Sequence, residues 1–291
     1  MYKYFLATLI TLCIAKQTFT QKNDKKLQGK LQTLLAAHKG VAGIYAIDLN
    51  TNKEIAINAD TIFPTASMVK LPILLGILQK IQDGKYQYHQ SMQYKDSLFY
   101  DEGDIIGNLK NGANIELSKI ILLMLSTSDN TASLWLQGLA GGGLAINDLL
   151  LKYGFTHTKV NSRTPGREIN RTQYGWGQTT PREMVGLLKL LVDKQFINDT
   201  VSQHAVRLLS RNYWDEQAIA AIPANVFVAS KNGAVNASRS EVLYVRGGKA
   251  NYIFCICTKN NEDTSWENSN KAWQLAIEIS TILWQAKGGE R

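Results

Sequence analysis

Ser67-Met68-Val69-Lys70 sets a hydroxyl and an amine three residues apart at the start of a helical run. On a helix that spacing puts both on one face, so the amine can reach the hydroxyl. A serine oxygen attacks well only when a nearby base takes its proton. A lysine can be that base only if burial or a second cation lowers its pKa. Backbone N–H groups left free at a helix start can hold the oxyanion that forms when a carbonyl is attacked. S-x-x-K occurs once in the chain, and its plain alternative is a helix cap followed by a surface lysine.

Two further stretches could complete such a site. Ser128-Asp129-Asn130 follows an apolar helical run; it reads either as an ordinary helix connection or as a proton relay, Ser128, with a substrate hydrogen-bonding group, Asn130. Lys231-Asn232-Gly233 ends a β-rich run, where Gly233 lets a substrate lie against a strand edge and Lys231 can attract a carboxylate and depress Lys70. The same triplet at Lys110-Asn111-Gly112 sits in a polar turn and is assigned no role. A fourth stretch, SRTPGREIN at 162–170, carries one carboxylate, Glu168, readable as a catalytic base or as a solvated loop charge. The four histidines (His38, His89, His157 and His204) are scattered without metal-ligand spacing, so no metal and no cofactor is expected.

The elements around these residues follow from periodicity. Leucines 27, 31, 34 and 35 form a helical stripe, and 41–49 and 54–58 read as two strands joined by a turn at 50–53. Helical patterns cover 68–82, 115–125, 131–139 and 144–153. Thr180, Pro181 and Glu183 form a strong helix start with a capping box. Strand character returns at 225–230, 242–245 and 252–258, and a helix over 272–284 closes the chain. Strands from both chain ends around a helical middle predict an α+β fold: an antiparallel sheet flanked by terminal helices, with an all-helical part beside it.

The chain has 291 residues, 45% of them apolar, and a net charge of +8. The basic residues are interspersed with acids rather than gathered on one element, which speaks against a nucleic-acid partner. Lys3 followed by the apolar run 5–15 has the layout of a secretory signal peptide, expected to be removed as residues 1–20, with an uncleaved anchor as the alternative. The bulky Leu12 before Cys13 argues against lipid attachment there. No transmembrane segment is expected in the mature chain, and Cys255 and Cys257 read as small core residues rather than a disulfide.

Taken together and in this order, S-x-x-K, S-D-N and K-N-G resemble the class A β-lactamases and related penicillin-binding serine enzymes, whose motif set is S-x-x-K, S-D-N and K-T-G. The similarity extends through GVAGIYAIDLNTNKEIAINADTIFPTASMVKLP, LLMLSTSDNTASLWL and GQTTPREM, nearly the whole mature chain. It implies a five-stranded antiparallel sheet and one domain over 21–291, with an α/β part of about 21–62 and 205–291 and a helical part of about 63–204. Ser67 would be the acylated nucleophile, Lys70 a base and Ser128 the relay to the leaving nitrogen. Asn130, Lys231, Asn232, Gly233 and Ala234 would bind substrate, with the Ser67 and Ala234 N–H groups as oxyanion hole. Two departures stand out: Asn232 replaces the usual hydroxyl residue, and Thr164 occupies the place of the hydrolytic glutamate of the omega loop. Glu168 falls on the site of that glutamate's asparagine partner, and Arg239 is a further candidate cation. The resemblance thus implies a serine hydrolase acting on β-lactams, expected to be a monomer, and the leader makes it secreted or periplasmic. The alternatives are a D-alanyl-D-alanine peptidase or penicillin-binding protein with slow deacylation, and a non-enzymatic binder of cell-wall peptides.

Overall fold

A computed structural model describes residues 22–288. The expected leader at 1–20, including Cys13, lies outside them. The strands are β1 (Lys22–Asn23), β2 (Val41–Asp48), β3 (Lys53–Ile57), β4 (Phe63–Pro64), β5 (Ser91–Gln93), β6 (Asn114–Glu116), β7 (Lys159–Val160), β8 (Gly177–Thr179), β9 (Phe227–Val235), β10 (Ser238–Gly247) and β11 (Ala250–Lys259). The main sheet has the order β1-β3-β2-β11-β10-β9. Its last five strands are antiparallel to their neighbours, as expected, and the two-residue β1 adds a parallel edge to β3.

The late strands are longer than the apolar pattern indicated. β9 continues through Lys231 to Val235, and β10 already begins at Ser238. The polar residues that hid these extensions (Lys231, Asn232, Arg239, Ser240 and Glu241) are themselves buried. Asn236, with φ +42°, makes the tight turn between the two strands.

The helices are α1 (Lys25–Ala36), α2 (Lys70–Gln82), α3 (Leu117–Ser126), α4 (Asn130–Leu139), α5 (Gly142–Lys152), α6 (Glu168–Tyr174), α7 (Pro181–Val192), α8 (Asp199–Leu209) and α9 (Lys271–Ala286). The expected boundary at 204/205 falls inside α8. One core packs α1 and α9 on one face of the sheet, through Leu31, Phe254 and Ile279. The larger core packs the opposite face against the helical part, with α2 at its centre and every residue from Lys70 to Leu78 buried. A helix apolar on all sides needs neighbours on all sides, and α2 finds them in α3, α4 and α5. Cys255 and Cys257 are free and buried in the sheet. No single helix among the described residues is long and apolar enough to cross a membrane.

Thr180 caps α7 by accepting from Glu183 N at 3.1 Å. Glu183 does not complete the expected capping box. Its carboxylate instead accepts from the backbone N–H groups of Thr156, His157 and Thr158, tying the α5–β7 connection to α7.

The loop 161–177 is closed at its neck, where Asn161 N and Ser162 N both donate to Trp176 O. Ser162 and Gln137 exchange hydrogen bonds of 2.6 and 2.7 Å. Thr164 is buried, and a β-carbon on Gly143 at the start of α5 would come within 1.8 Å of its Oγ1. Gly143→Ala should therefore lower stability by about 1–3 kcal/mol, the usual cost of overpacking. Adding Thr164→Ala, which removes the nearest atom, should recover part of the loss in denaturant unfolding.

Candidate active site

Ser67 lies in a 3-10 turn, Ala66–Val69, that leads directly into α2. The turn is pinned on the loop side, where Thr65 N donates to Gly177 O at 2.9 Å. Ala66 takes φ +45°, a left-handed conformation costly for any residue with a β-carbon, so packing around it must hold it there. On the other side β9 runs unusually close. A β-carbon on Gly233 would sit 2.7 Å from Ser67 N and 2.8 Å from Thr65 O, so only glycine fits. β9 is also the edge strand of the sheet, and Ser67, Gly233 and Ala234 line one cleft of about 400 Å³.

Lys70, one turn along α2, is fully buried. Its Nζ donates to Ser67 Oγ at 3.1 Å, Ser128 Oγ at 2.9 Å and Asn130 Oδ1 at 2.8 Å, and also contacts the Ser128 carbonyl oxygen. Three motifs some sixty residues apart or more in sequence thus meet at one amine or beside it. Burial lowers the Lys70 pKa well below the ordinary lysine value and the charge of Lys231 lowers it further, while Asp104 and Asp129 oppose the shift. A depressed pKa of this origin is the condition for a lysine to act as base.

The Ser128 turn is built by two carboxylates. Ser128 takes φ +62° and Asp129 caps α4, accepting from Ala132 N at 2.7 Å and from Ile106 N at 2.9 Å. Asp104 accepts from Asn130 N, Thr131 N and Thr131 Oγ1 at 2.8, 2.6 and 2.7 Å. Asp104 was missed by the sequence reading; its only signal is that the free N–H groups of a buried helix start need an acceptor.

Lys231 is fully buried in the middle of β9, and its Nζ donates to Asn232 O and Asn232 Oδ1, both at 2.9 Å. Burial pushes its pKa down to about 7, with Glu241 opposing the shift. Asn232 uses its amide donor on Gln217 Oε1 at 2.9 Å, which tethers the strand internally. Arg239 is neither solvated nor a cation of the cleft. It is buried, its guanidinium donates to the carbonyls of Asn236, Ser238, Thr264 and Ser265, and it lies 4.9 Å from the Trp266 ring centre.

Glu168 does not join the cleft. It is exposed at the start of α6, its Oε1 accepts from Gly166 N at 3.0 Å, and with Thr164 it lines a separate hollow against Arg163 and Arg171. The physical reason is local: the Pro165-Gly166 turn lets the carboxylate satisfy its own loop. No residue of 161–180 is among those lining the Ser67 cleft, and Trp176 packs edge-on against Tyr100 instead. The cleft walls come partly from residues the sequence did not single out for it, including Asp101, Trp214, Glu216, Gln217 and Trp266.

The family model of the Beta-lactamase enzyme family matches residues 26–286. The chain belongs to this family. Among relatives of this beta-lactamase-family chain, Beta-lactamase VEB-1 of Pseudomonas aeruginosa is 25% identical over 290 residues, covering 91% of this chain and 92% of the relative. A beta-lactamase of Streptomyces fradiae is 27% identical over 72% of this chain and 69% of its own length. Among solved structures, that of PBP-A superposes with a TM-score of 0.81 at 20% identity, over 91% of this chain and 97% of that one. A class A beta-lactamase from Mycobacterium abscessus gives 0.80 at 23% identity, over 90% and 100%. These structures establish the beta-lactamase/transpeptidase-like α+β fold.

A base at Lys70 must be unprotonated to act, so the reactivity of Ser67 should fall as pH drops through the lowered Lys70 pKa. Lys70→Arg keeps the charge but cannot lose its proton. It should slow labelling of Ser67 by a fluorescent penicillin by about 10²–10⁴-fold, the range of general-base effects, and flatten the pH profile.

Proposed function

We propose that the protein is an exported serine hydrolase that opens β-lactams, or cleaves a related cell-wall amide, through an ester on Ser67. The observation that carries this reading is the amine of Lys70 within 3.1 Å of Ser67 Oγ and 2.9 Å of Ser128 Oγ. Lys70 takes the Ser67 proton as Oγ bonds to the carbonyl carbon. When the carbon–nitrogen bond then breaks, the leaving nitrogen takes a proton from Ser128 Oγ, which Lys70 restores. The edge of β9, close to Ser67 at Gly233, supports the substrate, and Asn130 offers its amide to it. Export rests on the leader read at 1–20.

Completing hydrolysis requires a water molecule made nucleophilic, and neither Thr164 nor Glu168 reaches the cleft. The geometry therefore favours a slow second half-reaction. The protein would hold its acyl group as a penicillin-binding or D-alanyl-peptidase relative does, rather than turn over rapidly as a β-lactamase. A point mutant of PBP-A, a neighbour in this fold, has been solved as an acyl-enzyme complex with penicillin G.

Mass spectrometry after incubation with benzylpenicillin should reveal one covalent adduct, absent in Ser67→Ala. Failure to find it with any β-lactam would remove the acyl-enzyme reading for that ligand class. The adduct should persist over minutes, and Glu168→Gln should leave its lifetime within about twofold, since an exposed charge that touches only its own loop contributes little. A burst followed by rapid steady turnover, slowed by that substitution, would return Glu168 to the mechanism.

A further inference from the structure

Glu241 has no place in the chemistry described so far, yet it is fully buried beside the substrate-binding strand. It stands on β10 directly across from Asn232. Its Oε2 accepts from Ala218 N at 2.8 Å, while Oε1 is buried with no hydrogen-bond partner. A buried carboxylate with a free oxygen is costly, so a charge partner is expected close by. Among the described residues no ion pair closes on it; the opposite charge that acts on it is Lys231, next to Asn232 in β9, opposite Val242, and likewise fully buried. The two share a low-dielectric interior, and their summed charge is zero whether the proton sits on the amine or on the carboxyl group.

The neighbouring groups act in the same direction. Lys231 Nζ already donates twice to Asn232, and Asn232 in turn is tied to Gln217. Arg239, on the same face of β10, directs its guanidinium at backbone carbonyls. Among the described residues the cleft is lined by Asp101, Asp104 and Glu216 and by no arginine or lysine. A substrate carboxylate entering here would meet an anchor whose charge is cancelled from behind and a wall of its own sign.

We propose that Glu241 is a specificity-determining residue: by neutralising Lys231 it adapts the cleft to acyl donors with no free carboxylate next to the leaving nitrogen, such as esters or amides. The inference rests on the Ser67 acyl-enzyme reading above.

The test compares benzylpenicillin with its methyl ester, following Ser67 adduct formation by mass spectrometry at equal concentrations. The wild-type protein should react with the ester at least as fast as with the acid. Glu241→Gln keeps an acceptor for Ala218 N but removes the counter-charge. It should accelerate the acid by about tenfold and leave the ester nearly unchanged, as expected for one restored charge contact. Asn232→Thr, which releases the Lys231 amine from the amide oxygen, should move the acid-to-ester ratio the same way. A wild-type preference of about tenfold or more for the acid would overturn the proposal, because it would mean the Lys231 charge is felt in the cleft. So would a Glu241→Gln variant that changes both rates equally, which a merely structural role would give. If neither compound labels Ser67, the acyl-enzyme reading falls and takes this one with it. Labelling without the expected change in ratio sinks this one alone.

Discussion

The amine of Lys70 is fully buried where its charged form is disfavoured, and that burial organises the centre of the molecule. A lysine in water stays charged at neutral pH, so the fold must withhold water while supplying acceptors for the remaining N–H groups. It does so by packing α3, α4 and α5 around α2 and by bringing Ser67, Ser128 and Asn130 to the buried amine. Two carboxylates nearby could have undone the effect by stabilising the charged amine. Asp104 and Asp129 are instead engaged by backbone N–H groups at the start of α4 and near Ile106, which keeps them one layer back.

How far the sequence could be read follows from the same distinction. Motifs whose residue types are dictated by chemistry, such as Ser67, Lys70, Ser128 and Lys231, stand out because a hydroxyl and an amine at fixed spacing have few other reasons to recur in order. Helices with uninterrupted apolar stripes were equally plain. β9 and β10 were underestimated because their ends carry buried polar residues, and alternation of apolar and polar types fails wherever a strand hides charge. Arg239 and Glu241 look like solvated strand charges in sequence; only the tertiary structure reveals that one holds loops together and the other is buried opposite Asn232 in the sheet. Asp104 and Gln217 lie in segments without periodicity, and nothing local marks them.

The loop at 161–177 illustrates how a site can keep its scaffold and change its outcome. Its neck is bonded to Trp176, it is fastened to Gln137, and Thr164 fills the space beside Gly143. The chain path is therefore held firmly, yet it brings no acid or base to the Ser67 cleft. Register matters more than composition here. Glu168 is near in sequence, but the Pro165-Gly166 turn and the start of α6 carry it to the outer surface.

The antiparallel sheet joins β2, near the beginning of the chain, to β11, near its end, with Ala42 opposite Thr258. Contacts of such long sequence separation form late, because closing a large loop costs entropy before any contact rewards it. Lys231 and Gly233 reach the nucleophile turn only as part of β9, which is registered through β10 and β11. Ser67 and Lys70 are therefore synthesised long before the strand that completes their surroundings. Until that strand docks, the amine lacks the nearby charge of Lys231 that helps to lower its pKa in the folded protein, so the surroundings of Ser67 are completed last.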